Sequence, residues 1–572
     1  MAFEGDFPAT GTRENWDAIV VGTGIGGLTA AAYLAASGRK VLALEAYDVA
    51  GGNSHMFRRR GAYEFDVGVH YLGDCGHGGI LPSILSGLGI EDRVTFRPLD
   101  QERYDRVVLP SVTVEVPASW DRYRERLVAA MPEEAAGLSE FVTVCAAVAD
   151  ANRGRLLGVP GSDVMNLPPE IRRWNHRMLT QLFDHCGLSP RARTVLAATS
   201  GNYATAPNQT LVVLHANMVD DYMRGSYYPA GGGQALVAAF VEAIESHGGA
   251  LWTNARVARI DVTDGRTTGV TLADGRKLNA PVVVSNADYR RTVLELAEGA
   301  FPAAAVKRSR DATMRLATST TYVAMDRELD IPNGNVWYWP NEDIETAYRK
   351  VIEGDFDELP FAFMSFTSIK DHGTATVCPP GHANFEVMTL VPPGYEPWGV
   401  SEGPVNGGNY RRDPAYQKAK QRLTDGLLDL AEDILGPIRP HVTHVETATP
   451  LTHERYIRSS GGTPFGLATW GRAGHRPDVT TPVGGLYVAG QNTRFGAGIV
   501  SVAVSGVAAA SAVMGEELMP EVYRGKVYGN SELLPERAPG WDPLEVSRGA
   551  GRKGERGLPR LRALSEQQAL TH

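Results

Sequence analysis

The chain has 572 residues, more than one typical domain, so two or more domains are expected. Hydrophobic residues make up 43% and charged residues 21%, which leaves ample apolar material for a core and a buried cofactor. The net charge is -10 and the isoelectric point about 5.8, so the chain lacks the basic signature of a nucleic-acid-binding protein. No apolar run approaches the ~20 residues of a membrane span, and the N-terminus has no signal-peptide pattern.

The cysteines predict a reducing environment. Cys75, Cys145, Cys186 and Cys378 are scattered along the chain and form no CxxC pair. This pattern is typical of reduced thiols rather than a disulfide framework, and it predicts no metal site. We therefore expect a cytoplasmic protein, and we leave open a peripheral contact with a membrane and assembly into a homo-oligomer.

The first informative segment alternates strand and helix patterns. An apolar run at 17–21 predicts a strand, residues 25–37 predict a helix, and residues 40–44 predict a second strand. Gly38 is placed to end the helix. This order of elements is that of a dinucleotide-binding unit.

Glycines fill the turn between the first strand and the helix. Gly22, Gly24 and Gly27 have the spacing GxGxxG, and Gly26 is an additional glycine. Gly22 permits the tight turn, Gly24 lets a pyrophosphate reach the backbone, and Gly27 lets helix and strand approach each other. The free N–H groups at the helix start, where Ile25 lies, favour an anion.

An acidic residue follows at the offset that such a motif requires. Glu45 lies 21 residues after Gly24, close to the ~20-residue offset at which a carboxylate binds the ribose hydroxyls, and Ala46 comes next. A glycine-rich turn without a ligand is the alternative interpretation. The flanking strand and helix, together with Glu45, favour nucleotide binding.

Two further segments favour FAD over NAD. Gly51-Gly52 resembles the second glycine pair of the flavoprotein group that contains amine oxidases, phytoene desaturases and Rab GDP-dissociation inhibitors. Residues 484–515 predict a strand, a glycine-rich turn with Gly490 and Gly498, and a helix of small residues. These glycines would let the backbone approach a flat ring, and the helix N-terminus would stabilise the negative charge of a reduced flavin.

The middle of the chain resembles another part of the same flavoprotein group. Residues 234–246 predict an amphipathic helix, and alternating strands follow it up to residue 285. In the group, a strand of this segment passes the adenine, which implies a backbone contact from Val257. The strand at 282–285 would return to the nucleotide-binding sheet and bring Asn286 to the cofactor.

Residues 51–73 are similar to the retinol saturase and carotenoid isomerase branch of the phytoene desaturase superfamily. Residues 365–393 and 448–466 resemble further segments of that superfamily. Many relatives carry Arg or Lys at the position of Asn53, so we transfer no pyrophosphate-binding arginine. The matching positions are Gly51, Gly52, His55, Phe57, Phe65, Asp66, Gly68, His70 and Tyr71.

The resemblance implies an FAD-dependent oxidoreductase with non-covalent FAD. It would act on C=C or C–C bonds of an apolar polyene or long-chain substrate, by desaturation, saturation or cis–trans isomerisation. His70 and Tyr71 are the candidate catalytic residues, as proton donor or substrate orienter, and packing beside the flavin is the alternative role. An amine or amino-acid oxidase is the alternative enzyme, and a binding module without cofactor is the alternative outside catalysis.

The predicted cofactor contacts come from all of these segments. They are Gly22, Gly24, Ile25, Gly26, Gly27, Glu45, Ala46, Gly52, Asn53, Ser54, Val69, His70, Val257, Asn286, Gly490, Gln491, Gly498 and Ile499.

The predicted fold is α/β, with a Rossmann-like FAD-binding domain of the two-dinucleotide-binding-domain type and a second, mixed α+β substrate domain. We assign residues 1–118, 226–300 and 441–518 to the FAD-binding domain. The substrate domain would take the helical residues 119–225 and the mixed sheet 301–440, and residues 519–572 would form an extended tail or arm. Ser119 predicts a helix N-cap, and Arg58 to Arg60 predict a solvated turn.

Overall fold

The computed structural model describes residues 15–355, 358–468 and 476–549. Most of the basic stretch at the C-terminus lies outside these residues. The strands are β1 (Ala18–Val21), β2 (Val41–Leu44), β3 (Met56–Arg59), β4 (Tyr63–Asp66), β5 (Leu72–Gly73), β6 (Phe96–Pro98), β7 (Asp105–Val108), β8 (Thr113–Val116), β9 (Ser226–Pro229), β10 (Ala250–Trp252), β11 (Val257–Thr263), β12 (Arg266–Leu272), β13 (Lys277–Asn279), β14 (Val282–Ser285), β15 (Ala317–Met325), β16 (Asn335–Tyr338), β17 (Ala362–Ser365), β18 (Ala383–Val391), β19 (Val442–Ala448) and β20 (Leu486–Val488).

Six of the described α-helices follow one another between β8 and β9, and three follow β20. The α-helices are α1 (Ile25–Ala36), α2 (Ile80–Gly87), α3 (Trp120–Ala130), α4 (Ala135–Leu156), α5 (Pro169–Arg172), α6 (Leu179–His185), α7 (Pro190–Leu196), α8 (Val212–Met223), α9 (Gly232–Ser246), α10 (Tyr289–Arg291), α11 (Ala303–Asp311), α12 (Ile344–Ile352), α13 (Thr367–Lys370), α14 (Pro414–Leu435), α15 (Pro450–Ile457), α16 (Ile499–Met514), α17 (Leu518–Tyr523) and α18 (Pro543–Val546).

A five-stranded parallel sheet forms the centre of the nucleotide-binding half, in the order β10-β2-β1-β14-β20. Its strands β1 and β2 are buried at every residue, as expected for a parallel sheet covered on both faces. The sheet takes strands from three separate parts of the sequence. The helix α1 packs against both α9 and α16, so the three parts are also joined through their helices. The predicted α/β fold is confirmed.

The second half is built on a seven-stranded sheet in the order β19-β15-β18-β17-β16-β7-β8. Its strands pair antiparallel, except for the parallel pair β16 and β7. The helices α3 to α8 pack on it and share its largest apolar core. Ser119 caps α3 as predicted, because its hydroxyl accepts a hydrogen bond from the Arg122 N–H at 3.4 Å.

The structure shifts two of the predicted domain boundaries. Strands β7 and β8 lie in the seven-stranded sheet, although residues up to 118 are predicted to be in the FAD-binding domain. Strand β19 also pairs with β15 there, although residues from 441 onward are predicted to be in the FAD-binding domain. The boundaries move because hydrogen-bonding partners distant in sequence decide which sheet a short strand joins.

The segment after residue 518 folds back on the nucleotide-binding half as far as Gly549. Helix α17 packs on α2 and α16, and α18 packs on α9. The Ala50 N–H donates to the Ser547 carbonyl at 2.9 Å, and the Arg537 guanidinium pairs with buried Glu242 at 2.9 Å. Residues 519–549 therefore form a strap across the nucleotide-binding half, whereas the sequence predicts an extended tail or arm.

Arg58 ties this strap to the hairpin of β3 and β4. Its guanidinium lies 2.8 Å from Glu64 and 2.7 Å from Asp542, and its side chain is only 8% exposed. The prediction of a solvated turn is therefore wrong for Arg58, which lies in β3, and for Arg59, which pairs with Glu446 at 2.7 Å. Arg60 alone is exposed at the turn, with a φ of 54°.

Replacing Arg58 by methionine is expected to destabilise the protein by about 3 kcal/mol, because the buried Glu64 carboxylate loses its cation. Urea unfolding gives the free energy, and limited proteolysis reports whether the strap is released. Arg60→Met is the matched control and is expected to change stability by less than about 0.5 kcal/mol. Equal stability of both variants would show that Arg58 does not hold the strap.

Candidate flavin-binding and active site

A cavity of about 510 Å³ lies between the parallel sheet and the seven-stranded sheet. Its lining joins the glycine-rich turns of the nucleotide-binding half to aromatic and aliphatic side chains of α8, β16, β17 and β18. Most of the predicted cofactor contacts line it: Gly22, Gly24, Ile25, Gly26, Glu45, Ala46, Gly52, Asn53, Ser54, His70, Val257, Asn286, Gly490, Gln491, Gly498 and Ile499.

Two predicted contacts, Gly27 and Val69, lie behind this lining. A Cβ added at Gly27 would come 2.2 Å from the Gly22 carbonyl oxygen, so Gly27 serves the close approach of helix and strand. Val69 is 1% exposed and packs against the start of α9, where a Cβ at Gly233 would come 2.6 Å from its Cγ2. The structure therefore places both residues in the packing that supports the cavity.

Glycines bring the three nucleotide-binding segments into backbone contact. A Cβ added at Gly26 would lie 2.9 Å from the Gly490 nitrogen, which belongs to the turn after β20. A Cβ added at Gly24 would lie 2.8 Å from the Nδ2 atom of Asn286, which follows β14. The resulting groove exposes backbone instead of side chains, and this is the surface that a pyrophosphate or a flat ring needs.

Two helix N-termini open into the same cavity. Helix α1 begins at Ile25 and helix α16 at Ile499, and both residues line the wall. Gly498, just before α16, has a φ of 104°, which a side chain would strain. Free N–H groups and the helix dipoles make both ends favourable positions for negative charge.

Glu45 is held at the end of β2 by hydrogen bonds from two directions. The hydroxyl of Thr23 donates to Oε2 at 2.6 Å, and the Tyr47 N–H donates to Oε1 at 2.9 Å. Thr23 N–H also donates to Oε2, at 3.1 Å. A carboxylate with two oxygens keeps further acceptor capacity, so Glu45 can still accept from ribose hydroxyls.

Stacked aromatic rings form the far wall of the cavity. Tyr71 stacks on Tyr222 with ring centroids 4.3 Å apart, and Trp337 stacks on Phe363 at 4.1 Å. Leu214, Met218, Met388 and Leu390 complete the apolar lining. Trp337 lies in the aromatic run of β16 and is 1% exposed, so it belongs both to the core and to the wall.

His70 lines the cavity as a neutral imidazole. Burial, the nearby ammonium of Lys370 and His453 lower its pKa to about 3. Its Nδ1 has no hydrogen-bond partner among the described residues, and its backbone carbonyl accepts from the Lys370 ammonium. At neutral pH the ring can orient a ligand by one hydrogen bond, but it carries no cationic proton to give.

Tyr71 is better placed to move a proton. Its hydroxyl donates to Asp105 Oδ2 at 3.0 Å and accepts from Asn202 Nδ2 at 3.0 Å. Burial and the neighbouring Asp105 raise its pKa well above the usual value, so it stays a phenol. A buried tyrosine with an acidic group behind it is a recognised arrangement for a general acid.

A polar row behind Tyr71 is absent from the sequence prediction. Asp105, Asn335, Ser365 and Glu386 occupy matching positions on the neighbouring strands β7, β16, β17 and β18. All four are at most 2% exposed, and the ammonium of Lys370 contacts Ser365 and lies 3.4 Å from Asn335 Oδ1. The sequence signal for this row is weak, because Asp105 starts β7 beside Arg106 and only Glu386 is a lone charged residue within a buried strand.

Comparison with known proteins gives the same assignment as the geometry. The model of the family "Flavin containing amine oxidoreductase" matches residues 25–514, which is most of the chain. The chain belongs to this family.

Two similar curated proteins carry names that refer to retinol and prolycopene. The chain is 26% identical to the all-trans-retinol 13,14-reductase of Danio rerio, over 85% of this chain and 84% of the relative. It is 27% identical to a chloroplastic prolycopene isomerase of an Oncidium hybrid cultivar, over 87% and 84% of the two chains. An oxidoreductase structure from Methanosarcina mazei shares the fold, with a TM-score of 0.60, 17% identity, and coverage of 87% and 100%.

The cavity fits the flavin that this family binds. The glycine groove would be filled by any side chain, and the amide oxygens of Asn53 and Asn286 are buried without partners among the described residues. These are free polar groups at the positions where a ligand is expected. When bound, the flavin supplies the two-electron redox chemistry, and the protein would hold it through the groove, Glu45 and the two helix N-termini.

Further observations bear on the remaining sequence predictions. In the part of the chain that the structure describes, no group of three or more His, Cys, Asp or Glu residues could hold a metal ion. None of the described helices combines the length and apolar character needed to cross a bilayer. All four cysteines are free thiols, and Cys75 and Cys145 are buried.

Proposed function

We propose that this flavin-dependent oxidoreductase uses FAD to exchange a hydride with a carbon–carbon bond of an apolar, polyene-like or long-chain molecule. The observation that carries the proposal is one continuous cavity, in which the glycine groove meets a flat wall of stacked aromatic rings. Such a wall holds a conjugated chain parallel to a flavin ring and excludes water. The names of the curated relatives, which refer to retinol and prolycopene, support the same substrate class.

Three features support FAD as the flavin, and a fourth supports its being held without a covalent bond. Glu45 lies where a carboxylate binds the ribose of an adenine nucleotide, and the N-terminus of α1 lies where a pyrophosphate is stabilised. Val257, at the start of β11, lines the same end of the cavity. No cysteine occurs among the described residues of the lining, so no thiol is at hand to tether the ring.

We propose saturation of a C=C bond as the direction of the reaction. Saturation requires a proton as well as a hydride, and the Tyr71 phenol lies in the cavity wall with Asp105 behind it. His70 is uncharged and would orient the substrate or the flavin. The cytoplasmic location, a peripheral membrane contact and a homo-oligomer stay predictions, and the free thiols support the first of them.

The test begins with the absorption spectrum of the purified protein and chromatography of what denaturation releases. Released FAD is the expected result. The flavin is then reduced without oxygen and mixed with all-trans-retinol, lycopene or oleic acid. We expect a polyene to re-oxidise the flavin and to gain one H₂, which mass spectrometry detects.

Other outcomes would replace the proposal. Reduction of the oxidised flavin by cyclohexylamine or benzylamine, with no reaction of the reduced enzyme with polyenes, would make the protein an amine oxidase. A polyene whose geometry changes without a change in mass would make it an isomerase. A colourless protein that does not take up FAD would contradict the flavin site and favour a binding module.

A further inference from the structure

We propose that Asp105 stores the proton that Tyr71 delivers to the substrate, and that the protonation state of Asp105 decides where the Tyr71 hydrogen points. This inference rests on the proposed saturation of a C=C bond. Asp105 does not line the cavity and acts through Tyr71, so it is a positioning residue with a proton of its own.

The geometry leaves the Tyr71 hydroxyl two possible arrangements. A phenol has one hydrogen and two lone pairs. Asn202 donates to the hydroxyl oxygen at 3.0 Å, and Asp105 Oδ2 lies 3.0 Å away on another side. If Asp105 is a carboxylate, Tyr71 must donate its hydrogen to it. If Asp105 is a carboxylic acid, it can donate to Tyr71 instead, and the phenol hydrogen is free to turn into the cavity.

The surroundings of Asp105 keep it protonated up to neutral pH. Asp105 is 0% exposed, and burial raises its pKa to about 7. Asp66 and Glu386, at most 2% exposed, share the single ammonium of Lys370 with it. One cation cannot balance three buried carboxylates, so the group must hold protons.

Polar and aromatic groups from each neighbouring element define this environment. Asn335 donates to Asp105 Oδ1 at 2.9 Å, and the Trp337 indole N–H donates to Oδ2 at 3.2 Å. None of these neutral donors can carry a proton away at neutral pH. The titratable groups that face Asp105 are Tyr71, Tyr104, Tyr123, Tyr222 and Lys370.

The reaction balances with this proton. With flavin bound and reduced, one carbon of the double bond would receive a hydride from it, and the other would receive the hydroxyl hydrogen of Tyr71. The proton of Asp105 passes to the Tyr71 oxygen, which restores the phenol and leaves a carboxylate at Asp105. After product release, water in the cavity returns a proton to Asp105 through Tyr71.

The raised pKa of Asp105 sets an upper pH limit on the rate of substrate reduction. The competent form of Asp105 is the acid, so the rate of substrate reduction is expected to be constant below about pH 7 and to fall about tenfold per pH unit above it. The limit belongs to the substrate-reduction step, which a single-turnover experiment isolates.

The test uses FAD-loaded, pre-reduced enzyme mixed without oxygen with the polyene, all-trans-retinol or lycopene, that the wild type accepts. Tyr71→Phe and Asp105→Asn are each expected to slow re-oxidation at pH 6 by about 100-fold or more. The double variant is expected to be no slower than Tyr71→Phe, because the two residues act as one unit. Tyr348→Phe is the matched control, because Tyr348 is a buried tyrosine of the same apolar core that lies outside the lining and is not among the groups that face Asp105. It is expected to keep the wild-type rate.

A second readout does not depend on activity. Infrared difference spectra of the wild type between about pH 6 and about pH 8 should show loss of buried carboxylic-acid bands, to which Asp66 and Glu386 also contribute. The component that is missing from the spectra of Asp105→Asn is the one that reports the Asp105 proton. If Asp105→Asn does not fold, the pH profile of Tyr71→Phe decides, because it is expected to lose the limit near pH 7. The inference is overturned if the wild type reduces the polyene and Asp105→Asn has the same rate and pH profile as the wild type. It is also overturned if the effects of Tyr71→Phe and Asp105→Asn on the rate add in the double variant. If no polyene reacts with the wild type, the proposed function fails first, and the infrared band still reports the Asp105 proton.

Discussion

Gly24→Val is expected to abolish flavin binding, with affinity falling at least about 100-fold, or by about 2.7 kcal/mol. Gly24 is the N-cap of α1 with a φ of -61°, so its backbone tolerates a side chain. The loss of flavin affinity would instead be steric. A Cβ at this position lies 2.8 Å from Asn286 Nδ2, and the two further methyl groups of valine would project into the groove. In the proposed FAD site, this groove is the surface on which the pyrophosphate would contact the backbone.

Titration of the apo-protein with FAD, followed by flavin absorption and fluorescence, measures this effect. Gly426→Ala is the control, because Gly426 lies within α14 far from the cavity and only a Leu359 methyl comes within 3.2 Å of an added Cβ. It is expected to leave FAD affinity unchanged. Circular dichroism of Gly24→Val should match the wild type. FAD affinity close to that of the wild type would contradict the assignment of this groove to the pyrophosphate.

Lys370→Met is expected to destabilise the protein by about 3–5 kcal/mol. Lys370 is 1% exposed, and its ammonium contacts the His70 carbonyl and the Ser365 hydroxyl. Burial lowers the pKa of Lys370 and raises that of Glu386, yet each favours the charged form of the other. Without the ammonium, the buried carboxyl group of Glu386 must stay protonated. The His70 carbonyl also loses its hydrogen-bond donor.

The loss of stability in Lys370→Met is expected to grow as the pH rises. In the variant, the folded protein must retain on a carboxyl group the proton that Lys370 carries in the wild type, while the unfolded variant releases it above about pH 5. In the variant, the unfolded state therefore binds fewer protons than the folded state. The difference in the free energy of unfolding between wild type and variant should widen by roughly 1 kcal/mol per pH unit between about pH 5 and about pH 7.

Urea unfolding at several pH values measures both effects. Lys418→Met is the matched control, because Lys418 lies on the exposed side of α14 and should change stability by less than about 0.5 kcal/mol at every pH. A variant of Lys370 as stable as the wild type, with the same pH dependence, would show that the ammonium does not balance the buried carboxylates.

The local features of the nucleotide site could be predicted from the sequence by itself. The strand, glycine turn and helix at 18–36, and the helix at 499–514, form nearly where the patterns predict them. They were predictable because hydrophobic periodicity and glycine spacing act over a few residues. The resemblance of residues 51–73 to known flavoproteins, and not periodicity, indicated the family and pointed to His70 and Tyr71, which line the cavity.

The tertiary structure decided what surrounds these residues. Asp105, Asn335 and Glu386 are more than 200 residues apart at the extremes, and only the pairing of β7, β16, β17 and β18 sets them in one row beside Tyr71. The structure also places β7, β8 and β19 in the seven-stranded sheet and ties residues 519–549 to the β3–β4 hairpin through Arg58. Strand register and the pairing of buried charges depend on contacts between distant segments of the chain. Local sequence patterns therefore determine the glycine turn of the nucleotide site. Only the folded chain determines which buried groups surround Tyr71.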